Sequence, residues 1–203
     1  MLIEQPPFLY RILFKGVHWR FHPEEKSVYL TFDDGPIPEI TPWVLDLLDH
    51  YNIKATFFCV ADNVRKHPQV YQQVIERGHK IGNHTFHHLQ ALNTSSKKYI
   101  EDVKQAGQLI DSSLFRPPYG HMRFPQLNAL RKQYKIIMWD VVTRDYSCLM
   151  TAKQVFRNVK KYTRNGSIIV FHDSLKAEKK MKDALPKSIE WLLVQGYTFK
   201  LIE

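Results

Sequence analysis

Two histidines four residues apart, His84 and His88, and two consecutive acids, Asp33 and Asp34, have the types and spacing that suit metal chemistry. On one helical turn the two imidazoles would project from the same face and reach a single ion. The same spacing also fits a surface helix carrying histidines, and His79 and His87 make the stretch histidine-rich. Asp33 and Asp34 directly after an apolar strand also fit a turn whose side chains bond to the backbone. Together the four offer two neutral nitrogens and a carboxylate oxygen for one divalent ion, with a position left open, which is the donor set of a catalytic zinc. The other acid is then free to take a proton. His172, at the end of the apolar run IIVF, reads on its own as a core or rim residue. Arg116 precedes Pro117-Pro118-Tyr119-Gly120 and reads as a loop arginine beside a rigid connector. Rigidity is what a preorganised backbone N–H donor requires.

Those residues need elements to position them. Residues 27–32 (SVYLTF) alternate as a strand, ended by a turn through Gly35 and Pro36. Thr41-Pro42 opens a helix; residues 55–60 form a strand, residues 68–77 a helix closed by Gly78, and Lys80-Ile81 start a third strand. Thr94 or Ser95 caps a helix with Tyr99, Val103, Ala106 and Ile110 at helical spacing. A strand begins at Leu114-Phe115 and breaks at Pro117; a helix at 124–133 and a strand at 135–139 follow. Thr151 caps another helix, and a strand at 167–171, a helix at 186–195 ended by Gly196 and a strand at 197–202 complete the order. Strands alternating with helices predict an α/β protein with a parallel sheet. Every reactive candidate falls at a strand's C-terminal end, where a βα-barrel assembles its site from several loops. An open sheet would gather them at one crevice. The expected fold is therefore a distorted, incomplete (β/α) barrel with about seven parallel strands.

Composition bounds the rest. With 203 residues, 44% hydrophobic and 24% charged, the chain suits a single globular domain. It divides into a lead-in of residues 1–26 and a catalytic domain of residues 27–203. A net charge of +9 is compatible with nucleic acid, an anionic membrane surface or an acidic substrate. The lysines scatter along helix faces without interleaved aromatics, so solubility is the preferred reading and nucleic acid is not expected as a partner. No apolar run approaches the roughly 20 residues that span a bilayer, and no signal peptide is seen, so a cytoplasmic location is expected. Within residues 8–21, Leu9, Leu13 and Val17 share one helical face and Arg11, Lys15 and His18 another. That stretch is expected to pack on the barrel, the alternative being peripheral contact with an anionic membrane surface. Cys59 reads as core and Cys148 as loop, neither with metal-binding spacing. No oligomeric state follows from the sequence.

In order along the chain, TFDDGP (31–36), HTFHH (84–88), RPPYG (116–120) and IIVFHDS (168–174) resemble the motifs of the polysaccharide deacetylase family. The family is also called the NodB-homology domain or carbohydrate esterase family four, and the resemblance covers about residues 27–203. It implies Asp33 as general base, with Asp34, His84 and His88 as ligands of zinc or of another divalent ion such as cobalt or nickel. It further implies His172 as general acid, Arg116 as the group orienting Asp33, and the Tyr119 backbone N–H as an oxyanion donor. The implied reaction removes acetyl, or a similar small acyl group, from an N-acylated sugar of a poly- or oligosaccharide. Many members carry Asp-x-x-Asp-Trp where this chain reads Val142-Thr143-Arg144-Asp145-Tyr146, so the first acid is missing. Asp145 is expected to orient His172 or a group beside it, with Asp140 the weaker substitute; the alternative is a loop cap bonded to local backbone. The competing functions are a non-catalytic sugar-binding relative, which would be expected to lack a ligand or the base, and a phosphoesterase, which more often needs further carboxylates.

Overall fold

The computed structural model describes residues 4–203, so the first three residues of the expected lead-in lie outside the described residues. Among the described residues nine strands run in chain order as β1 (Val17–His18), β2 (Ser27–Asp33), β3 (Thr56–Cys59), β4 (Lys80–Asn83), β5 (Leu114–Phe115), β6 (Lys135–Ile137), β7 (Val141–Val142), β8 (Ser167–His172) and β9 (Thr198–Phe199). They pair in the order β1-β6-β5-β4-β3-β2-β8-β7, with β9 also on β2, and every strand pair is parallel. The helices are α1 (Phe8–Leu13), α2 (Thr41–His50), α3 (Ala61–Lys66), α4 (Pro68–Glu76), α5 (Ser96–Gly107), α6 (Phe124–Leu130), α7 (Ala152–Tyr162) and α8 (Glu178–Val194). The fold is the distorted, incomplete barrel expected, with β1 and β7 added to the seven strands. No helix among the described residues is long and apolar enough to cross a membrane.

Strand periodicity decides which side chains enter the barrel. Successive residues of a strand face opposite sides. Val28, Leu30 and Phe32 of β2 join Phe57, Ile169 and Phe171 in the core beneath the helices. Tyr29 of β2 joins Phe58, Leu114, Ile168 and Val170 in the barrel interior. Continuing that inward face by twos leads to Thr31 and Asp33 on β2, to Arg116 past β5, and to His172 on β8. A Cβ on Gly82 of β4 would lie 2.5 Å from the Phe58 ring, so only glycine allows this ring its place inside.

Residues 4–21 close the barrel's open side. β1 extends the sheet beyond β6, and Arg20 bridges antiparallel to Ser167 of β8. The Val142 N–H donates to the Glu4 carbonyl at 2.8 Å, and Arg11 pairs with buried Asp140 at 2.6 Å. Here the helical reading of residues 8–21 needs correction. The helix stops at Leu13, and Val17 leaves it to enter the sheet. Tyr10 and Phe14 pack on the interior cluster that includes Trp19, while Phe8, Leu9, Ile12 and Leu13 remain exposed.

Two further local expectations also change. Ile40 rather than Thr41 precedes α2, and the Thr41 hydroxyl accepts from the Ile37 N–H while donating to Asp173. Pro186 does not open a helix but lies inside α8, which begins at Glu178. The proline forfeits one helical hydrogen bond. Burial of Met181, Ala184, Leu185, Ile189 and Leu192 along one face outweighs that loss.

Because Trp19 is 8% exposed within the interior cluster, Trp19→Ala should cost about 3–5 kcal/mol of unfolding free energy in urea titration. A cost within about 0.5 kcal/mol would mark the segment as a loose appendage.

Candidate active site

The strand ends converge on a cleft of about 490 Å³ whose wall includes Asp33, Asp34, His84, His88, Tyr119 and His172. This is within the usual range for small-molecule sites. Asp33, the last residue of β2, is 4% exposed, and its Oδ1 accepts from the Arg116 guanidinium at 2.6 Å. Asp34 follows with φ of 83°, which turns its carboxylate away from that of its neighbour. Asp34 Oδ1 lies 3.2 Å from His88 Nε2 and 3.8 Å from His84 Nε2. One donor atom from each of these three residues falls within 4.8 Å of the others.

His84 and His88 do not share a helical turn, which corrects the sequence reading. Residues 84–88 form a loop after β4, and φ is 68° at Thr85 and 54° at His88. The loop, not a helix, brings the rings within 5.1 Å of each other. The His84 Nδ1 donates to the Arg116 carbonyl at 2.7 Å, leaving Nε2 to face Asp34. Metal-ligating histidines commonly have this second hydrogen bond, which fixes tautomer and ring orientation. Burial lowers the pKa of His84 to about 4 against the opposing charges of Asp33 and Asp34, so the ring is neutral, as a ligand must be. Burial works against ionisation of Asp34, but the His88 hydrogen bond and the charge of His172 hold its pKa below the ordinary carboxylate value. These properties fit a single divalent cation.

His172 ends β8 on the other side of the cleft. Asp145 grips it twice, accepting from the ring Nδ1 at 2.8 Å and from the backbone N–H at 2.8 Å. Burial alone would lower the His172 pKa; the charge and hydrogen bond of Asp145, then the charges of Asp34 and Asp33, raise it to about 9. Tyr146 places its ring edge-on to His172, with centroids 4.8 Å apart. Val142 packs in the interior cluster. Asp140 lies at the opposite end of β8, where it accepts from Ser167, Arg164 and Arg11, so it does not reach His172. Tyr119 stands on the rim with φ of 60°, its ring 4.9 Å from that of His88. Positive φ at Asp34, Thr85, His88, Tyr119 and Arg144 concentrates costly backbone conformations around the cleft, as functional sites often do.

Asp173 is a supporting residue to which the sequence reading assigned no role. Its carboxylate accepts from the Gly35 N–H at 3.1 Å and the Thr41 hydroxyl at 2.6 Å, bracing the turn that carries Asp34. A Cβ on Gly35 would lie 2.0 Å from Asp173 Oδ2, so the turn needs glycine there. Asn63 also donates to the Asp34 carbonyl at 2.8 Å. The available signal was an acid beside His172 at the end of a strand that neighbours β2.

Residues 21–135 match the sequence model of the family described as polysaccharide deacetylase. The chain belongs to the polysaccharide deacetylase family. It is 34% identical over 191 residues to a peptidoglycan-N-acetylglucosamine deacetylase of Bacillus cereus, covering 90% of this chain and 89% of that protein. It is 29% identical over 190 residues to the peptidoglycan-N-acetylmuramic acid deacetylase PdaA of Bacillus subtilis, covering 89% and 71%. A solved peptidoglycan N-acetylglucosamine deacetylase, in complex with an N-hydroxybenzamide, superposes with a TM-score of 0.86 at 30% identity, covering 97% of this chain and 95% of that one. A variant of a family-four pseudoenzyme with restored enzymatic activity superposes with a TM-score of 0.81 at 26% identity, covering 91% and 68%. The polysaccharide deacetylase fold thus accommodates inactive members as well as active ones.

A folded His172 pKa above the ordinary 6.5 gives stability that is full below about pH 6.5 and is lost as pH rises through about 9. In the metal-free protein, NMR titration of the ring should show an inflection above about 8, and Asp145→Asn should lower it by about 1–3 units. A wild-type inflection near 6.5 would contradict the pairing.

Proposed function

We propose that the protein hydrolyses the N-acetyl group of an amino sugar within a poly- or oligosaccharide, with one divalent ion held by Asp34, His84 and His88. The observation that carries this reading is the convergence of those three donors in one cleft with Asp33 and His172. The names of the relatives support a substrate of the N-acetylglucosamine or N-acetylmuramic acid type. Zinc is the ion that best suits two imidazole nitrogens and one carboxylate oxygen, with cobalt and nickel as alternatives. Such an ion supplies Lewis acidity, easing deprotonation of water and drawing electron density from the acyl oxygen.

The chain's own groups perform the remaining tasks. Asp33, held by Arg116 and absent from the donor cluster, takes the proton from the attacking water. The Tyr119 backbone N–H stabilises negative charge developing on the acyl oxygen. As the carbon–nitrogen bond breaks, the amine must leave protonated, and His172 supplies that proton from the ring that Asp145 orients through Nδ1. The edge of Tyr146 walls the cleft beside His172. A purely sugar-binding role is disfavoured because the three candidate ligands and Asp33 are all in place.

Acetate release from N-acetylated oligosaccharides tests the reading. Chelator should abolish activity and added zinc or cobalt restore it. Asp33→Asn should lower turnover by about 100-fold or more while metal content, read by plasma mass spectrometry, stays at one ion per chain. Loss of the ion in Asp33→Asn would reverse the roles of the two acids.

A further inference from the structure

The loop between the two histidine ligands has no helical hydrogen bonds of its own, and its backbone donors must find acceptors elsewhere. Asp102 supplies them from α5. Its Oδ2 accepts from the Phe86 N–H at 2.7 Å and the His87 N–H at 3.1 Å, and its Oδ1 accepts from the His87 ring at 2.5 Å. The carboxylate is only 6% exposed and stands in the buried stripe of α5 with Tyr99, Val103 and Ala106. Asn83 ties the start of the loop to the same helix, accepting from the Thr85 N–H at 2.8 Å and donating to the Val103 carbonyl at 3.0 Å.

The two histidines depend on this support unequally. His84 is 2% exposed and is fixed separately by its hydrogen bond to the Arg116 carbonyl. The His88 side chain is 29% exposed; its contacts are with Asp34, with the His84 ring and with the Tyr119 ring at the cleft rim. Its position is therefore set chiefly by the backbone that carries it, and that backbone holds two non-glycine residues at positive φ. Without an acceptor for the N–H groups of Phe86 and His87, the loop has an incentive to relax toward water or a commoner conformation.

We propose that Asp102 is a positioning residue for the metal site, holding the 84–88 loop so that His88 meets His84 and Asp34 at one ion. This rests on the metal reading of Asp34, His84 and His88 given above. Asp102 is not one of the three converging donors, and its effect passes through the loop. Partners of this kind typically change metal affinity by about 10–100-fold when removed.

Competition of each metal-free protein against a chromophoric chelator, with zinc alone as the probe, reads the effect directly. Asp102→Ala should weaken zinc binding by about 10–100-fold. Asp102→Asn, whose amide oxygen still accepts both backbone N–H groups, should stay within about 3-fold of wild type. Thermal melts of the metal-free variants ensure that affinity is compared between folded proteins. If Asp102→Ala does not fold, Asp102→Ser, with a hydroxyl too short to accept both loop donors, takes its place. Equal zinc affinity of wild type and the truncated variant, or an Asp102→Asn protein as weak as the truncated one, overturns the inference. No zinc binding by the wild type overturns the metal reading together with it.

Discussion

A single buried guanidinium holds the two halves of the cleft together. Arg116 is fully shielded from water and donates to Asp33, to Thr31 and to the carbonyls of Ile137 and Met138. Its charge sits 4.0 Å from the centre of the Phe58 ring, and its own carbonyl accepts from His84. Burial lowers its pKa from the ordinary value against the opposing pull of Asp33, but guanidinium has range to spare and stays charged. Removing one partner of such a pair leaves the other charge buried and uncompensated, a loss of about 3–5 kcal/mol. The same residue therefore fixes the acid proposed as base and the tautomer of one proposed ligand.

That constraint explains how two adjacent aspartates come to face different partners. Asp33 keeps the inward direction of β2 and meets Arg116, while Asp34 reverses at positive φ and faces the histidines. The surrounding acids repeat the device at a second level. Asp145 holds His172, Asp173 holds the turn bearing Asp34, and Asp102 holds the loop bearing His88. Each bonds to at least one backbone N–H group, so each carboxylate positions chain as well as side chain. Unfavourable backbone conformations around the cleft can persist because these acceptors over-determine them.

Much of this was legible in the residues themselves. Alternation in SVYLTF and the apolar run IIVF mark the strands that end in Asp33 and His172, and the cap at Thr151 begins α7 as read. The strands β1 and β7 were not legible: pairing with β6 and with β8 makes them strands, and Val17 falls at helical spacing from Leu9 and Leu13 in the sequence. The loop from His84 to His88 defeated spacing alone, since four residues suit a helix and a compact loop equally. Asp102 left a readable trace: it falls three residues after Tyr99 and one before Val103, a charged residue inside an apolar helical stripe. Such an acid needs a buried partner. Only the fold reveals that the partner is the loop carrying His84 and His88.

Zinc-edge anomalous diffraction from crystals grown with the ion tests the central assignment most directly. The expected result is one strong peak about 2.0–2.2 Å from Nε2 of His84, Nε2 of His88 and a carboxylate oxygen of Asp34, with Asp33 still paired to Arg116. A peak coordinated by Asp33, or no peak in the cleft at all, would contradict it.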